Sequence, residues 1–197
     1  MTLVTMIRHG EPIREVVDTH YGDDDVPLSD LGRAQSEAVA DRLADEGFDA
    51  IWSSNLSRAT YLAERLAAPR GLTVQIDPAL RERGVGILQG MTYAEAESAH
   101  PEAARDLREN SASHRVPGGE NMTNLAARVL PALTRIRAAH QDQDIAIAGH
   151  GGSIRVVLGH ALGLPIEHLF RMRLDYCRVS TVEFRADGRM KVLRVNA

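Results

Sequence analysis

Thr2-Leu3-Val4-Thr5-Met6-Ile7-Arg8-His9-Gly10-Glu11 is a short apolar run that ends abruptly at an arginine, a histidine and a glycine. Val, Thr and Ile favour extended backbone, and a run this short, bounded by Gly10 and Pro12, reads as a buried strand. In an open α/β sheet, ligands bind beyond the carboxyl ends of the strands, which is where Arg8 and His9 are expected. Gly10 is expected to let the chain turn sharply and approach a ligand closely. On ordinary residue frequencies, Arg-His-Gly arises by chance in about 1–2% of chains this long. Its meaning therefore rests on what else converges on it.

Outward from that strand, helical and extended patterns alternate. The acidic segment holding Glu11, Glu15, Asp18 and Asp23-Asp24-Asp25 reads as a solvated loop without the ligand spacing of a calcium loop. Ser29 is a helix N-cap, followed by an apolar face of Leu31, Ala34, Ala38, Val39 and Leu43, with Gly47 as the stop. Residues 48–52 form a second strand, and Ser53-Ser54-Asn55 offers capping groups to a helix over 56–70 with Ala59, Leu62 and Leu66 inward. Arg58 falls in the first turn, where a cation opposes the helix dipole. Taken alone it reads as an exposed surface residue; an anion bound at the helix start would give it a role.

A third strand at 72–76 precedes a long glycine- and proline-rich stretch, 77–120, with an acidic helix over 92–110 inside it. Such long connections are usually functional, and a cap over the sheet mouth is expected. The next helix carries Leu125, Val129, Leu133 and Ile136, and Pro131 should kink or divide it. A fourth strand, 144–148, closes with Gly149-His150-Gly151-Gly152-Ser153 and a helix to about Leu162. A hairpin of 179–184 and 190–195 around Ala186-Asp187-Gly188 ends the chain. Gly149-x-Gly151 suggests a dinucleotide fingerprint, but Ile154 occupies the third glycine position and breaks it. What remains is a second strand-end histidine in a loop suited to an anion. The expected architecture is α/β: a three-layer α/β/α sandwich, its central sheet mostly parallel, with helices on both faces and a C-terminal antiparallel hairpin.

Composition sets the outer limits. A chain of 197 residues, 44% hydrophobic and 25% charged, suits one globular domain with a good-sized core. The net charge of −4 gives no reason to expect nucleic-acid or membrane binding. No apolar stretch approaches the ~18–20 residues that span a bilayer, and no secretory signal pattern opens the chain. The single cysteine, Cys177, excludes an internal disulfide; a cytoplasmic location fits. Neither C-x-x-C nor H-E-x-x-H occurs, so no metal or cofactor is expected.

With these residues in place, a family likeness is carried by six ordered motifs. Arg8-His9-Gly10-Glu11 resembles the signature of the histidine phosphatase superfamily, also called phosphoglycerate mutase-like. Gly22-x-x-Asp25-x-Pro27-Leu28-Ser29-x-x-Gly32-x-x-Gln35 resembles the segment after it, and Ser53-x-x-Leu56-x-Arg58-Ala59 the family's second-arginine motif. Leu80-x-Glu82-x-x-x-Gly86-x-x-Gln89-Gly90 resembles its acid motif, with Gln89 where glutamate often stands. Pro117-Gly118-Gly119-Glu120 and Gly149-His150-Gly151-Gly152 complete the set. Glu15 departs from the pattern, standing where many members carry a phosphate-contacting asparagine.

The resemblance implies a metal-independent phosphomonoester hydrolase with His9 as nucleophile and a phosphohistidine intermediate. Glu82 is implied as proton donor and acceptor and His150 as a catalytic hydrogen-bond donor, with Arg8, Arg58, His150 and Gly151 binding the phosphate. It also implies one histidine phosphatase domain over 1–197, with a cap-like insertion at about 82–120 that sets specificity. Within the cap segment, Arg83, Arg105, Arg108, His114 and Arg115 could meet a second acidic group, though each alone reads as mixed-charge surface. The expected partner is a small phosphorylated metabolite; the sequence permits a homodimer without requiring one. Two other functions stay open: a cofactor-dependent phosphoglycerate mutase, whose insertion after the acid motif is usually longer, and a weakly active interaction module.

Overall fold

The computed structural model describes every residue of the chain except Asn110. Its centre is a six-stranded sheet in the order β3-β2-β4-β1-β5-β6, built from β1 (Thr2–Arg8), β2 (Ala50–Ser53), β3 (Val74–Ile76), β4 (Asp144–Gly149), β5 (Val179–Phe184) and β6 (Met190–Arg194). β1, β2, β3 and β4 run parallel; β5 pairs antiparallel with β1 and β6 antiparallel with β5. Because strand side chains alternate between faces, each strand feeds two cores. Val4, Met6, Ile145 and Ile147 pack with Leu125, Val129 and Leu158 on one face. Ile7, Ile51, Ala146 and Ala148 pack with Val39, Leu62 and Leu66 on the other.

Those flanking residues belong to helices on opposite faces, so the layers are α/β/α as expected. α1 (Arg14–Val17) is a single turn. The helices α2 (Asp30–Arg42) and α3 (Ser57–Ala67) cover one face. α6 (Met122–Ala139) and α7 (Gly151–Leu162) cover the other. Pro131 lies inside α6 without dividing it. The acidic helix expected over 92–110 is instead two, α4 (Tyr93–Ala99) and α5 (Pro101–Glu109), broken at His100 because the residue before a proline resists helical backbone. The expected helix limit at Asn110 lies outside the described residues. This segment has its own small core of Val85, Leu88, Ala96, Ala104, Leu107 and Val116.

The face assigned to α2 needs correction. Ser29 does cap the helix, its hydroxyl accepting from the Gly32 amide, but Leu31 is 55% exposed and Ala34 and Ala38 face solvent. The buried positions are Gly32, Ser36, Val39 and Ala40. A Cβ on Gly32 would fall 1.9 Å from the Glu11 carbonyl oxygen, and one on Gly10 only 2.1 Å from that of Gly32. Gly10 therefore serves a backbone-to-backbone contact with α2.

Candidate active site

β1 and β4 lie side by side with Arg8 opposite Gly149, so the residues following each strand, His9 and His150, become neighbours. Their rings are 5.1 Å apart, and both are buried. His9 Nδ1 lies 2.6 Å from the Gly10 carbonyl oxygen. A carbonyl only accepts, so Nδ1 carries the proton and Nε2 presents a bare lone pair. His150 Nε2 is 2.7 Å from Ser54 Oγ, which also accepts the Leu56 amide at 3.3 Å. Ser54 is fully buried, and its own proton is used only if it donates to His150 Nε2. That assigns the His150 proton to Nδ1, a buried atom with no partner among the described residues. Burial holds both imidazoles well below their ordinary pKa; Arg58 and Arg8 reinforce this at His9, and His9 with the two arginines does so at His150.

Two guanidinium groups are anchored beside these rings. Arg8 donates from Nη1 to the Leu174 carbonyl at 2.6 Å and stacks 4.0 Å over the Tyr176 ring. Arg58, in the first turn of α3, is 0% exposed, so the surface reading of it is wrong. Its Nη1 donates to the Asp24 carbonyl and its Nη2 to that of Gly22 at 2.9 Å. The acidic loop is therefore more than solvated surface, since its carbonyls hold this cation. Asp25 Oδ1 also accepts the Ser57 amide at 2.6 Å, so the start of α3 is capped by a residue from the acidic loop as well as by Ser54 of the expected Ser53-Ser54-Asn55 run. Both Arg8 Nε and Arg58 Nε are buried without partners among the described residues. Tyr176 flanks His9 at 5.6 Å, and Tyr21 lies 5.3 Å from the Arg58 guanidinium carbon.

Glu82 reaches the same place from the stretch after β3. Its Oε2 accepts the Gly152 amide at 3.0 Å and its Oε1 the Arg83 amide at 2.8 Å. A Cβ on Gly152 would lie 2.1 Å from Glu82 Oε1, so only glycine there admits the carboxylate. Arg128 holds the backbone around it, donating to the carbonyls of Ala79, Arg81 and Glu82 at 2.8–2.9 Å. The same guanidinium bonds both oxygens of Glu120, at 2.8 and 2.7 Å. Burial alone would raise the Glu120 carboxyl, but these bonds hold it below its ordinary range.

Arg8, His9, Arg58, Glu82, His150 and Gly151 thus converge, although they come from four separate parts of the chain. Gly151 opens α7, and a Cβ on it would lie 3.0 Å from Arg155 Nη1 and 3.6 Å from Arg8 Nε. Glu15 is exposed in α1. Sequence reasoning missed Ser54, hidden in a run read as capping, and Tyr176, in an irregular segment without a pattern. It also missed Arg155 and left Arg83 out of the site. An arginine one helical turn after Gly151 was a usable signal for Arg155. Among the described residues, no group of three or more histidines, cysteines and acids is placed to hold a metal ion.

The profile of the histidine phosphatase superfamily (branch 1) matches residues 4–197. The chain belongs to that superfamily. It is 30% identical over 185 residues to a probable phosphoglycerate mutase, GpmB, of Yersinia pestis, covering 94% of this chain and 86% of that one. Among solved structures, a mycobacterial glucosyl-3-phosphoglycerate phosphatase in complex with VO3 superposes with a TM-score of 0.89 at 30% identity. That match covers 99% of this chain and 98% of the other. The α-ribazole phosphatase of Shigella flexneri gives a TM-score of 0.89 at 25% identity, covering 99% and 96%. This histidine phosphatase therefore has relatives named both as hydrolases and as mutases. No helix among its described residues is long and apolar enough to cross a membrane.

Proposed function

We propose that this histidine phosphatase hydrolyses small phosphomonoesters through a phosphohistidine on His9. The observation that carries the reading is a set of buried donors without partners among the described residues, Arg8 Nε, Arg58 Nε and His150 Nδ1, beside an imidazole whose Nε2 is bare. Orphaned buried donors are costly, and an anion in their midst relieves that cost. Three donors and two cations match the oxygens of a phosphoryl group.

His9 Nε2 attacks phosphorus in line, forming the P–N bond as the P–O bond to the alcohol breaks. Glu82 gives its proton to the departing oxygen, and Arg8, Arg58 and His150 hold the charge on the non-bridging oxygens. In the second half, Glu82 takes a proton from water as that water attacks phosphorus. The P–N bond breaks and phosphate leaves. The lowered pKa of His9 keeps it nucleophilic at neutral pH. The 82–120 segment serves as the cap, within one domain spanning 1–197. Hydrolysis is favoured over mutase action because that cap is two short helices and offers little to shield the intermediate from water. The names of the GpmB-type relatives favour the mutase as the second reading.

Phosphate release from p-nitrophenyl phosphate should fall about 10³-fold or more in His9→Ala. Activity that survives this substitution would sink the proposal. With 3-phosphoglycerate as substrate, free phosphate should form faster than 2-phosphoglycerate; the reverse would establish the mutase.

A further inference from the structure

The far end of the sheet holds a cavity that phosphate chemistry at His9 does not use. It lies between the last turn of α6, the turn joining β5 to β6, and the start of β1, with a volume of about 450 Å³. Small-molecule sites occupy about 300–1,000 Å³. Thr2 pairs with Phe184 at this end of β1, and Arg8 stands at the other end of the seven-residue strand. At about 3.3 Å per residue the two ends are some 20 Å apart, so a small molecule bound here does not reach the histidines.

Arg137 sets the character of this cavity. Its guanidinium carbon lies 3.9 Å from the centre of the Phe184 ring, and its Nε is buried. Among the described residues its side chain has neither a hydrogen-bond partner nor an ion pair. Burial pushes the guanidinium below its ordinary pKa, and no carboxylate offsets the effect. Arg70 shows what a purely structural arginine looks like in the same fold. It lies 5.0 Å from the Phe48 ring centre, and its donors go to the carbonyls of Leu43, Ala44, Glu46 and Leu66. Arg137 has the stack without the acceptors. Donors withdrawn from water and left unfilled carry a cost that a bound acceptor removes.

The other charges on the wall are matched. Asp142, the one acid lining the cavity among the described residues, bonds the Met1 amino group, and Arg185 bonds Glu183 Oε1 at 2.5 Å. One positive charge is left over, beside the apolar surface of Ala138, Phe184 and Ala186. That pairing suits a monoanion with a hydrocarbon body; a phosphate dianion brings one charge too many next to Asp142. A guanidinium fork matches the two oxygens of a carboxylate.

We propose that this cavity is a second binding site, taking a small organic carboxylate with its oxygens on Arg137 and its apolar body against Phe184, Ala138 and Ala186. The site stands whichever reaction His9 performs.

The probe is benzoate, with benzamide as its uncharged counterpart, titrated into the nitrogen-15-labelled protein and followed by amide chemical shifts. Benzoate should give saturable shifts across 134–142 and 184–188, and benzamide should bind about 10-fold or more weakly, as expected for loss of a charged hydrogen bond. Saturating inorganic phosphate should leave benzoate binding unchanged. Arg137→Gln should weaken benzoate about 10-fold or more, and Arg137→Lys should restore part of that. Ala138→Leu fills the cavity from an exposed helical position without removing the cation, and it should weaken both probes alike. If Arg137→Gln fails to fold, Ala138→Leu and the comparison of the two probes still decide. Equal affinity for benzoate and benzamide would overturn the site. So would benzoate binding undiminished in the variants, displacement of benzoate by phosphate, or shifts confined to residues around His9 and His150.

Discussion

Gly152 shows how far a single missing methyl group reaches. Its amide positions Glu82, and its bare Cα leaves room for the carboxylate. Gly152→Ala should push Glu82 away from the leaving oxygen while Arg8, His9 and Arg58 stay in place. Alkyl phosphates need a proton on the departing oxygen; aryl phosphates need it much less. kcat on an alkyl ester should therefore fall about 10²-fold or more, within the range for general acid catalysis, with a far smaller loss on p-nitrophenyl phosphate. Equal losses on both would show that Glu82 is not the proton donor. The paired histidines carry a separate expectation. Each is neutral when folded and has a pKa of about 6.5 when unfolded. Above pH 6.5 neither state takes up protons, so burial of the rings is unopposed. Below it the unfolded chain gains protons that the folded chain refuses, and stability falls as pH drops towards the depressed folded values. The limiting slope is about 1.4 kcal/mol per pH unit per ring. Thermal melts between pH 7 and pH 5 should show this decline, and His150→Gln should flatten it; an unchanged slope in that variant would refute the assignment.

At the scale of elements, strands ending in a polar residue and glycine were legible because a buried strand needs uninterrupted apolar residues and its exit does not. β1, β4 and α7 were therefore readable, and with them His9 and His150. The face of α2 was misread for a physical reason: its backbone comes so close to Glu11 that the contact positions must be small, and Gly32 and Ser36 replace the expected large apolar residues. Ser36 is buried because its hydroxyl donates to the Gly32 carbonyl at 2.8 Å. Long-range caps were equally invisible, since no local pattern links Asp25 to Ser57 or Ser54 to His150. Glu82, the proposed general acid, depends on such a link. α6 presents Arg128 to three carbonyls of the segment that ends in Glu82. Arg128→Lys keeps the charge but cannot fill five acceptors. It should lower kcat more than it raises KM and cost about 1–3 kcal/mol of stability by denaturant unfolding. Unchanged kcat would mean that the segment holds Glu82 without this strut.

Across the whole molecule, a net charge of −4 coexists with a mouth built from Arg8, Arg58, Arg83 and Arg155. A local positive potential on an acidic protein draws small anions in while leaving the outer surface unattractive to polyanions. The acidic loop contributes to that contrast, and it is closed at its neck. Ile13 donates to the Pro27 carbonyl and Ser29 to that of Glu11, both at 3.0 Å, beside the contact between Gly10 and Gly32. Its middle is held from outside by Arg58 through Gly22 and Asp24, and by Gln89, which donates to the Tyr21 carbonyl at 2.9 Å. A loop tied at both neck and middle opens as one cooperative unit, and opening it strips Arg58 of both partners. Its opening free energy should thus be coupled to the phosphate that Arg58 is proposed to hold. Backbone amides across 13–26 should exchange with deuterium at a common rate that slows when inorganic phosphate is added, while those of β6, at the far sheet edge, keep their own pace.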